Sequence, residues 1–173
     1  MKKITLFFAI IGMIMLNACT NEGPQGAPGK NGQNGELAEV FELKNVNFSF
    51  SNNQYSIYRA LNPQIFASDN LLIYRLSGTI NSTTPIWQLI PRTLFLPQGE
   101  LDYDFDFSKQ DFTIYAGGNY NLALTPSYLN SQTFRIVIIP GAFSNKMASV
   151  EDFSNYEAVI AKYKINENAI KQL

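Results

Sequence analysis

The chain has 173 residues, with 13 basic and 14 acidic side chains, one cysteine and no histidine. Without histidine, neither a Ser-His or Cys-His nucleophile pair nor a zinc site built on His and Cys can be assembled. Near-neutral charge with no basic stripe gives a nucleic-acid backbone little to hold, so nucleic acid is not an expected partner. The length fits one domain of about 100–200 residues, large enough to bury a core without disulfides or metals.

The N-terminus opens with Lys2 and Lys3, followed by an uncharged apolar run over residues 4–16. That run is shorter than the roughly 20 residues a membrane-spanning helix needs. Leu16-Asn17-Ala18-Cys19 closes it with a small residue just before the only thiol. The layout is that of a secretory signal peptide with its processing site, and with cysteine at the cut it resembles the lipobox of bacterial lipoproteins. The resemblance implies cleavage before Cys19, lipidation of that cysteine, and a membrane partner reached through the lipid. With Cys19 committed to an anchor, no second cysteine is left to pair with it.

Glycine then recurs at every third position: Gly23, Gly26, Gly29, Gly32 and Gly35. A strict glycine period with proline is the collagen signature, because only glycine fits the axis of three wound chains. So short a block reads first as an extended tether. A triple-helical stalk, which would make the protein a homotrimer, is the sharper alternative.

From Glu39 the pattern becomes β. Phe41 and Leu43 alternate on odd positions, then Val46, Phe48 and Phe50 on even ones, a parity flip that predicts a bulge or corner at Lys44-Asn45. Ser51-Asn52-Asn53-Gln54 has turn chemistry, and a return strand starts at Tyr55. Residues 71–74 form an apolar run expected of a central strand covered on both faces. Residues 86–90 and 93–96 read as strand on either side of Pro91, which suits a bend or edge. Residues 101–107 alternate cleanly, with Leu101, Tyr103, Phe105 and Phe107 on one face and Asp102, Asp104 and Asp106 on the other. Residues 112–115, 120–124 and 134–139 complete roughly eight short strands separated by turn clusters. Near the end, Ser154 with Glu157 three residues later fits a capping box. Tyr156, Val159, Ile160 and Tyr163 then recur at helical spacing. A tail over residues 166–173 is expected to fray.

These elements predict an all-β sandwich of the jelly-roll or immunoglobulin-like kind with a C-terminal helix. The expected organisation is a signal peptide over 1–18 and a lipidated cysteine with Gly-X-Y linker over 19–36. A sandwich domain over 37–165 follows, with its helix at about 154–163 and the tail after it. With the strands placed, the chain resembles a group of uncharacterised collagen-like lipoproteins of Bacteroidota. The resemblance is carried by the lipobox, the Gly-X-Y block, Leu71-Leu72-Ile73-Tyr74-Arg75, Trp87-Gln88-Leu89-Ile90-Pro91, the run from Phe134 to Gly141, and Asn155-Tyr156-Glu157-Ala158-Val159. It covers nearly the whole chain and implies an outer-membrane address, periplasmic or surface-facing. It implies no functional residues.

Asp102, Asp104 and Asp106 are the metal candidate, since their spacing matches the opening of a calcium loop. That loop also needs glycine at its sixth place and glutamate at its twelfth, where this chain has Phe107 and Thr113. The row reads instead as a solvated strand face, and no cofactor is expected. The same acids support a carboxylate-dependent hydrolase only faintly. Trp87, with Tyr74, Tyr115, Tyr120 and Tyr128, is the candidate ligand platform for a sugar, although a lone tryptophan is more often core. Arg59, Arg75, Arg92 and Arg135 read as residues that cover sheet faces with their aliphatic stems. The expected function is a non-catalytic structural or interaction role in the cell envelope, with a glycan or envelope protein as partner. A surface carbohydrate-binding module is the alternative.

Overall fold

The computed structural model describes residues 38–141 and 152–173. Both stretches belong to the second of two compact units, residues 33–173. The expected signal segment, Cys19 and the glycine repeat lie outside the described residues.

The protein is an all-β sandwich with one short C-terminal helix. Ten strands are described: β1 (Glu39–Val46), β2 (Ser49–Ser51), β3 (Gln54–Ala60), β4 (Asn70–Asn81), β5 (Thr84–Ile90), β6 (Arg92–Leu96), β7 (Gly99–Phe107), β8 (Asp111–Gly118), β9 (Gln132–Ile139) and β10 (Lys171–Gln172). The first sheet has the order β10-β1-β9-β4-β5 and the second β2-β3-β8-β7-β6. Every strand pairing described is antiparallel except that of β1 with β10. The chain passes between sheets at Pro91, which follows a cis peptide bond and separates β5 from β6.

The parity flip in the sequence is a bulge. The β1–β9 register shifts between Leu43 and Val46, and Asn45 takes a left-handed φ of 54°, which asparagine tolerates better than most residues. The bulge lets Leu43 and Phe48 both enter the core between the sheets. That core also holds Ile73, Phe112, Ile114, Phe134 and Ile136, and Phe48 meets the Phe134 ring edge-on at 6.1 Å. Arg75 enters from β4 and is only 8% exposed; its Nε donates to Gln132 Oε1 at 2.8 Å, and its guanidinium lies 4.7 Å from the Tyr103 ring centre. Burial pushes the Tyr103 phenol up to about 12, and its protonated hydroxyl donates to the Tyr128 carbonyl at 2.6 Å.

A second apolar layer lies on the outer face of the first sheet, where Val40, Tyr74, Val137 and Ile139 pack against helix α1 (Tyr156–Tyr163). This explains why β4 and β9 read as near-continuous apolar runs: sandwich core covers one face and helix the other. Among the described residues, no helix is long and apolar enough to cross a membrane.

Three sequence expectations need correction. The N-cap of α1 is Asn155, whose side chain accepts from the Ala158 amide at 3.1 Å. Ser154 sits one residue too early, its own amide donating to Asp152. Residues 120–124 do not form a strand; they enter the 3-10 turn Leu122–Leu124, and a second, Pro126–Tyr128, follows. Asn121 caps the first of these and Pro126 opens the second, so local turn chemistry overrides the aromatic and aliphatic content. The tail is ordered by pairing: Lys171 and Gln172 form β10 beside β1.

Candidate functional site

Registers on the first sheet place Leu89, Tyr74, Arg135 and Glu42 side by side across four adjacent strands. Arg135 interrupts the apolar run of β9 at an outward-facing position, so its charge needs partners at the surface of the sheet. Glu42 supplies the first, accepting from Arg135 Nε at 2.9 Å. Tyr156, at the start of α1, accepts from Nη1 through its hydroxyl at 2.6 Å, and Glu167, beyond the helix, accepts from the same nitrogen. The guanidinium also lies over the Trp87 ring, 4.3 Å from its centre, a favoured arrangement of cation and π face.

Both charges of the Arg135–Glu42 pair are largely out of water: the Arg135 side chain is 13% exposed and that of Glu42 6%. Burial by itself would raise the Glu42 carboxyl. Hydrogen bonds from Arg135 and from Lys44 outweigh it, and the group ends below its ordinary value. Burial would likewise favour neutral Arg135, yet its bond to Glu42 and its contacts with Tyr156 and Glu167 hold it more firmly charged than usual. The Tyr156 phenol is raised, chiefly by burial, and stays protonated.

Beside this network no described residue covers the sheet, and a groove of about 400 Å³ forms there. Its floor and near wall are Leu76, Trp87, Thr133 and Arg135; Glu42, Lys44 and Asn45 line one rim, and the β4–β5 hairpin with Thr79, Ser82, Thr83 and Pro85 lines the other. The β1 bulge shapes the first rim by turning Asn45 out of regular strand geometry. Lys44 bonds Glu42 at 3.0 Å. The Trp87 Nε1 is buried and has no hydrogen-bond partner among the described residues. The volume lies within the ~300–1,000 Å³ range of small-molecule sites.

Trp87 is therefore half-buried in a wall, with Arg135 on its ring and Tyr156 at 5.8 Å. Of the tyrosines named with it in the sequence, Tyr74 shares its layer beneath Tyr156, and none lines the groove. Tyr74 lies buried beneath α1, donating to the Phe153 carbonyl; Tyr115 sits on the outer face of the second sheet; Tyr120 and Tyr128 pack against the inter-sheet core. Asp102, Asp104 and Asp106 alternate outward along β7. Asp102 accepts from the Thr93 hydroxyl at 2.6 Å, Asp106 from the Tyr115 hydroxyl at 2.8 Å, and Asp104 from the Phe105 amide at 2.8 Å. Among the described residues, no group of three or more His, Cys, Asp or Glu side chains is arranged to hold a metal ion.

Sequence reasoning missed Glu42, Tyr156 and Glu167 as partners of Arg135. One signal was available, a lone arginine inside an apolar strand. Its partners are 93, 21 and 32 residues away along the chain, a separation that spacing rules do not reach. In comparisons with family models, curated proteins and solved structures, nothing matches this chain.

Proposed function

We propose that the protein is a lipid-anchored module of the cell envelope, held at the outer membrane through Cys19 and carrying its sandwich as a non-catalytic interaction domain. The observation that carries this reading is the N-terminal arrangement of Lys2-Lys3, a short apolar run and Ala18-Cys19. A lipid on cysteine would tether the domain, and the Gly-X-Y segment would set its distance from the bilayer. If extended at about 3.1 Å per residue, residues 23–35 span on the order of 40 Å. A single acyl chain anchors only weakly, so a stable anchor needs more than one.

Fractionation tests this reading. Wild-type protein is expected in the membrane pellet with acyl chains on Cys19, detected by mass spectrometry of the native N-terminus. Cys19→Ala is expected to carry no acyl chain and to keep its N-terminal segment uncleaved, seen as a larger intact mass. An unacylated wild-type N-terminus, or a Cys19→Ala protein cut at the same place as wild type, overturns it. A second reading, a surface carbohydrate-binding module, is favoured by the groove beside Trp87.

A further inference from the structure

The geometry points to the groove between the β1 bulge and the β4–β5 hairpin as a binding site for a neutral sugar of one or two rings. The inference deepens the carbohydrate reading by naming the ligand class and the groups that select it; it does not depend on the anchor.

Three observations select that class. The first is the mixture of groups. Hydroxyls of Thr79, Ser82 and Thr133 can each donate and accept, which is also the capacity of every hydroxyl on a sugar; the Thr83 hydroxyl donates to Asn81 Oδ1 at 2.9 Å and offers its lone pairs. Asn45 adds an amide on the opposite rim. The second is the apolar portion of the same surface. Leu76, Pro85 and the Trp87 wall offer carbon surface to the C–H face of a ring, and the Arg135 guanidinium, 4.3 Å from the indole centre, holds that wall in place. The indole is thus one edge of a cleft rather than an open stacking platform.

The third observation is charge. Lys44 and Arg135 both bond Glu42, and Arg135 also bonds Glu167. Two cations and two anions cancel, so an acidic ligand meets no net positive field and would have to break an existing pair to gain one. A neutral polyol can instead take up the free lone pairs and hydrogens of the rim without disturbing the network. The volume of about 400 Å³ matches one or two pyranose rings rather than a long chain.

Trp87 is the only tryptophan in the chain, so its emission reports on the groove directly. The test uses full-length protein in a sugar-free detergent, titrated with N-acetylglucosamine, cellobiose and maltose, and separately with glucuronate. At least one neutral sugar is expected to produce a saturable emission change with Kd on the order of 1 mM. The same sugar should protect amides of residues 76–87 and 133 from hydrogen exchange. Thr133→Val and the double change Ser82→Ala with Thr83→Ala are each expected to weaken binding about tenfold, with circular dichroism unchanged. Asp104→Asn, on the other sheet, should bind as wild type.

Glucuronate binding more tightly than every neutral sugar would overturn the neutral assignment and keep the carbohydrate reading. Neither emission change nor protection with any of the four sugars would overturn both. Binding unaffected by the rim variants would place the sugar elsewhere and overturn the site.

Discussion

Glu42 and Arg135 face one another across β1 and β9 in a setting where either charge alone would be costly. Removing one partner of a buried ion pair leaves the other unsatisfied, at about 3–5 kcal/mol. Arg135→Met is therefore expected to lower unfolding free energy by roughly 3 kcal/mol in urea titrations. Adding Glu42→Leu should restore part of that loss, because the double variant buries no lone charge. The distant Glu39–Lys171 pair, at 3.8 Å with both side chains more than half exposed, should contribute little by comparison. The same carboxylate sets a pH response. The folded-state value of Glu42 lies below its ordinary value of 4.5, so protonation is linked to unfolding. Its contribution is fully present above about 4.5 and is lost as pH falls through the lower folded value. Thermal midpoints measured downward from pH 5 should fall for the wild type and fall less steeply for Glu42→Gln.

At the scale of elements, α1 is too short to stand alone and holds its place by what it covers. Tyr156, Val159 and Tyr163 are buried against the outer face of the first sheet. The helix begins at Asn155, and an N-cap side chain stabilises by about 1 kcal/mol. Asn155→Ala is expected to cost about that much in urea unfolding, whereas Ser154→Ala should be close to neutral. Equal effects would mean that the capping assignment is wrong. The sequence motif placed the helix within two residues, yet it chose the wrong cap. Ser154 and Asn155 are both good caps, and only the backbone turn at Asp152–Ser154 decides which side chain faces the first amides.

For the molecule as a whole, the C-terminal segment is a cover as well as an end. It supplies α1, Glu167 and β10, and it closes over Val40, Tyr74, Val137 and Ile139. Deleting residues 152–173 should therefore expose a contiguous apolar sheet face of the kind that drives association. The expected outcome is dye binding and aggregation in light scattering, with strand content retained by circular dichroism. A soluble, monomeric truncation would show that the sandwich needs no cover.

The alternation of Leu101, Tyr103 and Phe105 with three aspartates determined that β7 has one core face and one wet face, because side chains on a strand alternate strictly. The same period exposed the bulge at Lys44-Asn45, and turn residues marked most strand ends. Those are local rules, and they reached the sandwich and its helix. The case for an anchor at Cys19 is likewise read from sequence alone. What only the tertiary structure decided is which strands are neighbours, and so what meets what. The pairing of β1 with β9, and the return of the C-terminus over them, assembled Arg135, Glu42, Tyr156 and Glu167 from distant parts of the chain. The groove exists for the same reason: α1 covers only part of the sheet, and how far a helix extends over a face is set by packing, which no residue spacing encodes.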